Sequence, residues 1–237
     1  MANPNNQPAT VSFFFTDSSG DFGRGTTTIP ANGQIAKFLD QSPFNGRPSL
    51  TGTFTFSSNL PLSVVALRGL LNERKEFLLT TLSVTELPAA ASTAVIVFPH
   101  FAAGGGWTTQ IVLVNPTDTS LNGNIEFRDP AGRIAVVGGP FNTNYMYSIP
   151  PRSSFKLQTN GASAATLTGS VRIIPAPHTA APTGLAIFSF QNHGVTVSEA
   201  GVPAEPAGSA FRVFARRPPI PRLDRRAALD ESWSGPF

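Results

Sequence analysis

The chain contains no cysteine, which excludes a disulfide framework and any thiolate metal site. Charge is sparse as well, with only 13% of the 237 residues being Asp, Glu, Lys or Arg. No apolar run approaches the roughly 20 residues that a membrane-crossing helix needs, so no membrane span is expected. His100, His178 and His193 are the only histidines, and none forms an H-x-x-x-H or H-x-H pair. Without further soft ligands they predict no metal centre. A G-x-S-x-G elbow is absent, and the few carboxylates fall mostly in turn-like contexts, so neither a serine nucleophile nor a glycosidic acid pair is indicated. The reading is therefore of a non-enzyme, with no catalytic residue, no cofactor and no metal.

Net charge is +3, and it is unevenly placed. Arg212, Arg216, Arg217, Arg222, Arg225 and Arg226 face only Asp224, Asp230 and Glu231 near the C-terminus, while residues 1–211 balance. A nucleic-acid surface would gather basic residues on the folded body, so no nucleic-acid partner is expected. The opening residues Met1-Ala2-Asn3-Pro4-Asn5-Asn6-Gln7-Pro8 have neither the charged nor the apolar region of a signal peptide.

What the chain has in abundance is proline (22), glycine (21) and phenylalanine (19), a composition suited to short strands joined by many turns. The pattern also repeats. Asn3-Pro4, Asp17 and Gly20 recur as Asn115-Pro116, Asp129 and Gly132, all at an offset of 112. Ile29-Pro30 then answers Ile149-Pro150, Leu50-Thr51-Gly52 answers Leu167-Thr168-Gly169, and Pro61 to Leu67 answers Pro182 to Phe188. Leu87-Pro88-Ala89 answers Val202-Pro203-Ala204. Proline in Ile29-Pro30 and Ile149-Pro150 marks a strand end or edge, because it offers no ladder N–H. Ser63 to Leu67 and Gly184 to Phe190 read as interior strands, and the charge run Asn72 to Glu76 reads as a hairpin tip matching Asn192-His193-Gly194.

The fold class expected is all-β: two tandem immunoglobulin-like β-sandwich units, the first lacking its leading strands, followed by a disordered tail. The expected boundaries are 1–89 for the truncated first unit and 90–206 for the complete second. Residues 207–237 would start a third unit, with a strand at about 210–215, before the tail. Ala210-Phe211-Arg212-Val213-Phe214 matches Ala94 to Phe98 at an offset of 116, and no counterpart of Ala94 to Val114 precedes Asn3. The phase predicts a piece of a longer array, with neighbouring repeats as partners.

The block Phe98 to Val114 with Gly104-Gly105-Gly106-Trp107, the segment Asn115-Pro116-Thr117-Asp118, the segment Ile29 to Leu39, and Leu67 to Leu78 together resemble a repeat of large secreted or cell-surface bacterial proteins. The resemblance covers roughly residues 1–216, and the sequence diverges from it after Arg217. It implies an extracellular or cell-surface location for the parent protein and points to no chemistry.

Gly104-Gly105-Gly106 is a hairpin loop rather than a phosphate cradle, since a strand follows it and no G-K-[ST] is present. Asp17-Ser18-Ser19-Gly20-Asp21 lacks the order of a calcium loop. Trp107, Tyr145 and Tyr147, with His100 beside the glycine hairpin, form the candidate recognition surface, because aromatic faces stack on sugars and on apolar partners; the competing account is that Trp107, Tyr145 and Tyr147 pack the sandwich core or cover its rim. Two functions follow: a spacer or protein-interaction module, or alternatively a carbohydrate-binding module using those aromatics. The ligand, protein or glycan, stays unidentified.

Overall fold

The structure is a computed structural model that describes residues 1–87, 92–138, 144–204 and 208–212. Met1–Ala207 form one compact unit and Gly208–Phe237 a second. In the second unit Ala210 to Arg212 carry no strand. The remainder of the strand expected at 210–215, and the expected disordered tail, lie outside the described residues.

Among the described residues there are 13 strands and no helix, arranged in four antiparallel sheets. In chain order they are β1 Ala9–Asp17, β2 Gly20–Ile29, β3 Thr53–Ser58, β4 Ala66–Leu71 and β5 Phe77–Leu82. Then follow β6 Ile96–Ala103, β7 Trp107–Val114, β8 Leu121–Arg128, β9 Tyr145–Ile149 and β10 Ser154–Gln158. The last three are β11 Leu167–Pro175, β12 Thr183–Asn192 and β13 Val195–Pro203.

Two four-stranded sheets, β6-β11-β8-β9 and β10-β7-β12-β13, form a β-sandwich. The period of two that puts alternate side chains on one face of a strand is clean in β7, where Thr109, Ile111 and Leu113 are buried, and in β8, where Leu121, Ile125 and Phe127 are. Those faces meet in one cluster with Phe98, Phe101, Tyr147, Ile149, Val171, Ile173 and Ala186. Burying such side chains contributes roughly 1.5–3 kcal/mol each.

The other two sheets are β2-β1-β3 and the hairpin β4-β5. The first repeats the register of β9-β8-β11. Ala9 opposes Ile29 as Leu121 opposes Ile149, and Phe15 opposes Phe54 as Phe127 opposes Val171. Phe13, Phe15 and Phe44 make its core, with Phe22, Ile35, Leu50, Phe54 and Phe56 packed around them. No residue of β4 or β5 joins that cluster.

The β4–β5 hairpin instead docks on β13, with Arg68 and Thr80 making the polar contacts from a face they share with Leu70 and Leu78. Arg68 pairs with Glu199, and the Gly201 N–H donates to Thr80 Oγ1 at 2.5 Å. At the hairpin tip, Asn72 Nδ2 donates to the Thr196 carbonyl at 2.9 Å, and the Thr196 N–H donates to Glu73 at 2.7 Å. That last bond is the main reason the Glu73 carboxyl sits below its ordinary range. The charge run 72–76 is thus a hairpin tip as expected, and it also acts as a clasp.

Candidate functional site

Asn3 and Asn115 are both buried, and each closes the same elbow. Asn115 Nδ2 donates to the carbonyls of Thr119, Ile149 and Pro150 at 2.7, 3.2 and 2.9 Å. Asn3 Nδ2 donates to Gln7, Ile29 and Pro30 at 2.8, 3.2 and 3.0 Å. On the acceptor side, Asn115 Oδ1 takes the Thr117 N–H and Asn3 Oδ1 the Asn5 N–H. The backbone follows suit: Asn115 N–H donates to Ser153, and Asn3 N–H to Gly33, at 2.9 Å each. Arg152 and Asn32 occupy the same position in the two turns and share a left-handed φ of 56° and 55°. An asparagine uses both ends of its amide here, which explains why this residue type stands at both elbows.

The glycine of each Leu-Thr-Gly has an equally specific cause. A Cβ on Gly52 would collide with the Thr16 carbonyl oxygen, and one on Gly169 with that of Arg128. β3 and β11 pass too close to the ends of β1 and β8 for any side chain.

The Gly104-Gly105-Gly106 loop is the β6–β7 hairpin turn, with φ of 90°, 59° and 86°. Its amides are spent on protein: the Gly104 N–H donates to Trp107 and the Gly105 N–H to Ser163. Asp17 Oδ1 likewise accepts the Ser19 N–H and hydroxyl while Oδ2 pairs with Arg47. The Ser19 hydroxyl contributes most to holding that carboxyl below its ordinary range. Both loops therefore serve turn geometry. Among the described residues no three His, Cys, Asp or Glu gather in one place.

The expected aromatic surface divides. Trp107 tilts against Phe190 at 4.8 Å between ring centres, and His100 stacks on Phe188 at 5.5 Å. Phe188 and Phe190 are alternate residues of β12, so these pairs lie in one file on the same side of that strand. Tyr145 and Tyr147 belong elsewhere. They point inward from β9, with Met146 exposed on the other side. Tyr147 is only 2% exposed, and burial pushes its phenol up to about 12. Tyr145 meets Phe127 edge-on in the core, and burial raises its phenol too. Tyr147 is removed from the recognition surface by this burial, and Tyr145 sits on β9 in the opposite sheet against Phe127, apart from the Trp107–Phe190 pair.

Two depressions are present near these residues. One of about 170 Å³ is lined by Phe98, Pro99, His100, Ala186, Phe188 and Val202, with His100 its only ionisable group. The other, of about 550 Å³, lies beside Gly104, Val137, Asn160, Ser163 and Thr166 and has no ionisable side chain in its lining.

Sequence reasoning missed a different surface. Ser63 to Leu67 reads as an interior strand, but β4 begins at Ala66 and leaves one face of the hairpin open. Val65 is 63% exposed, Leu67 51%, Leu71 66%, Phe77 55% and Leu79 54%. Leu71 opposes Phe77 across the hairpin, so the two share a side chain surface. Phe38, itself 55% exposed, meets Phe77 edge-on at 6.5 Å between ring centres and extends this apolar surface.

Comparison with known proteins finds no matching family model, no matching curated protein and no matching solved structure.

Proposed function

We propose that the chain is a non-enzymatic structural or adhesive module of a cell-surface protein, made of two tandem copies of one immunoglobulin-like sandwich unit. The doubled asparagine elbow and the doubled Gly52 and Gly169 support the tandem reading, since unrelated folds have no reason to repeat side-chain hydrogen bonds position for position. The observation that carries the adhesive reading is the bare face Val65, Leu67, Leu71, Phe77 and Leu79. Contiguous apolar surface of this kind marks a place where another protein sits. Buried polar side chains in the elbows and the clasp serve strand geometry, which fits a module that bears load or presents a surface.

The test is adhesion of beads carrying the full chain. Wild-type beads should bind cells or one another, and Leu67→Arg with Leu79→Arg should abolish this without lowering the melting temperature. Adhesion that survives the double substitution would refute the assignment of this face. A glycan array separates the alternative: saturable sugar binding lost in Trp107→Ala would favour a carbohydrate-binding module built on Trp107 and His100.

A further inference from the structure

Asparagine precedes glycine at Asn32-Gly33, Asn45-Gly46, Asn122-Gly123 and Asn160-Gly161. A glycine in that place leaves its nitrogen unshielded, since no Cβ stands beside it. Such a nitrogen can attack the asparagine side-chain carbon when its N–H is not already engaged. At Asn32, Asn45 and Asn122 the following glycine is held. The Gly33 N–H donates to the Pro30 carbonyl at 2.9 Å, and the Gly46 N–H to the Leu39 carbonyl at 2.7 Å. Asn45 Nδ2 also donates to the Pro43 carbonyl at 3.3 Å. Gly123 is buried inside β8, opposite Tyr147 on one side and Pro175 on the other.

Asn160-Gly161 differs in each respect. The Gly161 N–H has no backbone acceptor among the described residues. Asn160 is exposed, and its Oδ1 accepts the Ala162 N–H at 3.2 Å. This Asx-turn folds the side chain back over the next peptide, which brings Cγ towards the Gly161 nitrogen. The same N–H faces the oxygen on which negative charge develops during attack. The glycine is required by the fold: its φ is 61°, and a Cβ there would meet Thr108 Cγ2 at 2.8 Å and the Trp107 carbonyl oxygen at 3.0 Å.

We infer that Asn160 is a site of spontaneous deamidation, selected from the asparagine–glycine pairs by its free glycine amide and its Asx-turn. The Gly161 nitrogen bonds to Asn160 Cγ, the Cγ–Nδ2 bond breaks, and the Gly161 proton leaves with Nδ2 as ammonia. Water then opens the resulting succinimide at either carbonyl, giving an aspartyl or an isoaspartyl residue. Nothing is oxidised or reduced, and water is the only co-reactant. The change has a defined place. Asn160 lines the 550 Å³ depression, whose lining has no ionisable side chain, so the product puts a first carboxylate there. Its effect on the main chain is bounded by two anchors. Thr159 Oγ1 accepts the buried Thr109 N–H at 2.9 Å, and the Ser163 carbonyl accepts the Gly105 N–H at 2.8 Å.

The test compares all the asparagine–glycine pairs in one molecule. The full chain is incubated at mildly alkaline pH, folded in buffer and unfolded in urea, and conversion is followed by peptide mapping with isoaspartate-specific methylation. Folding should slow Asn32, Asn45 and Asn122 at least tenfold relative to urea, while Asn160 reacts at least as fast as it does in urea. In the folded chain Asn160 should therefore lead the others by at least tenfold. Asn160→Ser, whose hydroxyl can still accept the Ala162 N–H, should remove the signal from that peptide and leave the rest unchanged. An Asn160 protected by folding as strongly as Asn32 or Asn45 overturns the inference, as does a methylation signal that survives Asn160→Ser in the folded chain.

Discussion

Replacing Asn115 by alanine removes a donor from three carbonyls at once: Thr119, Ile149 and Pro150. The Ile149 carbonyl bond is buried, and its oxygen has no water to fall back on. At about 1 kcal/mol net per bond, three lost bonds cost about 3 kcal/mol. For a chain of this size that lowers the melting temperature by roughly 6–12 °C. Because Asn3 has the same three donations at the other elbow, Asn3→Ala should cost about the same. Exposed Asn6 serves as the control, and Asn6→Ala should fall within about 0.5 kcal/mol of wild type. Asn115→Asp sharpens the test. A carboxylate would place lone pairs against three carbonyl oxygens, which raises the aspartate pKa in the folded state. Its sign follows from linkage: the folded state holds the proton more tightly, so stability falls as pH rises from the unfolded value of about 3.9 through the folded one. Urea melts at several pH values read this directly. Loss of less than about 1 kcal/mol in Asn115→Ala, or a pH-independent Asn115→Asp, would refute the reasoning.

Three further outcomes follow from single contacts. Gly169→Ala and Gly52→Ala drive a methyl into a carbonyl oxygen and should each destabilise by about 2–4 kcal/mol in denaturant melts. Tyr147→Phe should be neutral or stabilising by up to about 1 kcal/mol, since the buried hydroxyl has no partner. In the wild type, phenolate absorbance from Tyr147 should not appear until about pH 12, against an ordinary 10.0. Stability tied to that neutral phenol is intact below pH 10 and is lost as pH rises towards 12. Arg68→Ala strips the cationic partner from Glu199, whose side chain is only 5% exposed, and leaves it the Ser189 hydroxyl alone among the described residues. It should cost about 2–3 kcal/mol, with the β4–β5 amides losing hydrogen-exchange protection first.

Much of the fold is legible in the sequence because turn chemistry is local. Asn-Pro, Asp-x-x-Gly and Leu-Thr-Gly each encode a backbone requirement within a few residues, and each is met where the pattern puts it. Ile29 and Ile149 do end their strands, as a following proline demands. Between the two accounts of the tyrosines, strand parity favours packing: Tyr145, Tyr147 and Ile149 share one face of β9, and that face is the buried one. The parity was available in Tyr-Met-Tyr-Ser-Ile, with serine on the outward side. The open face of β4 was not legible, because an apolar run looks the same whether or not a neighbour covers it. Nor could the clasp of Asn72 and Glu73 on Thr196 be read, since it joins residues more than a hundred positions apart. The first core draws Phe44 and Leu50 from an irregular segment with no strand periodicity to announce it.

The most direct measurement of the doubled building unit is hydrogen exchange at the side-chain amides of asparagine, resolved by NMR. If one elbow was built twice, the Nδ2 protons of Asn3 and Asn115 are both protected far beyond those of exposed Asn6, and to a similar degree. Free exchange at either one, with its partner protected, would contradict the duplication.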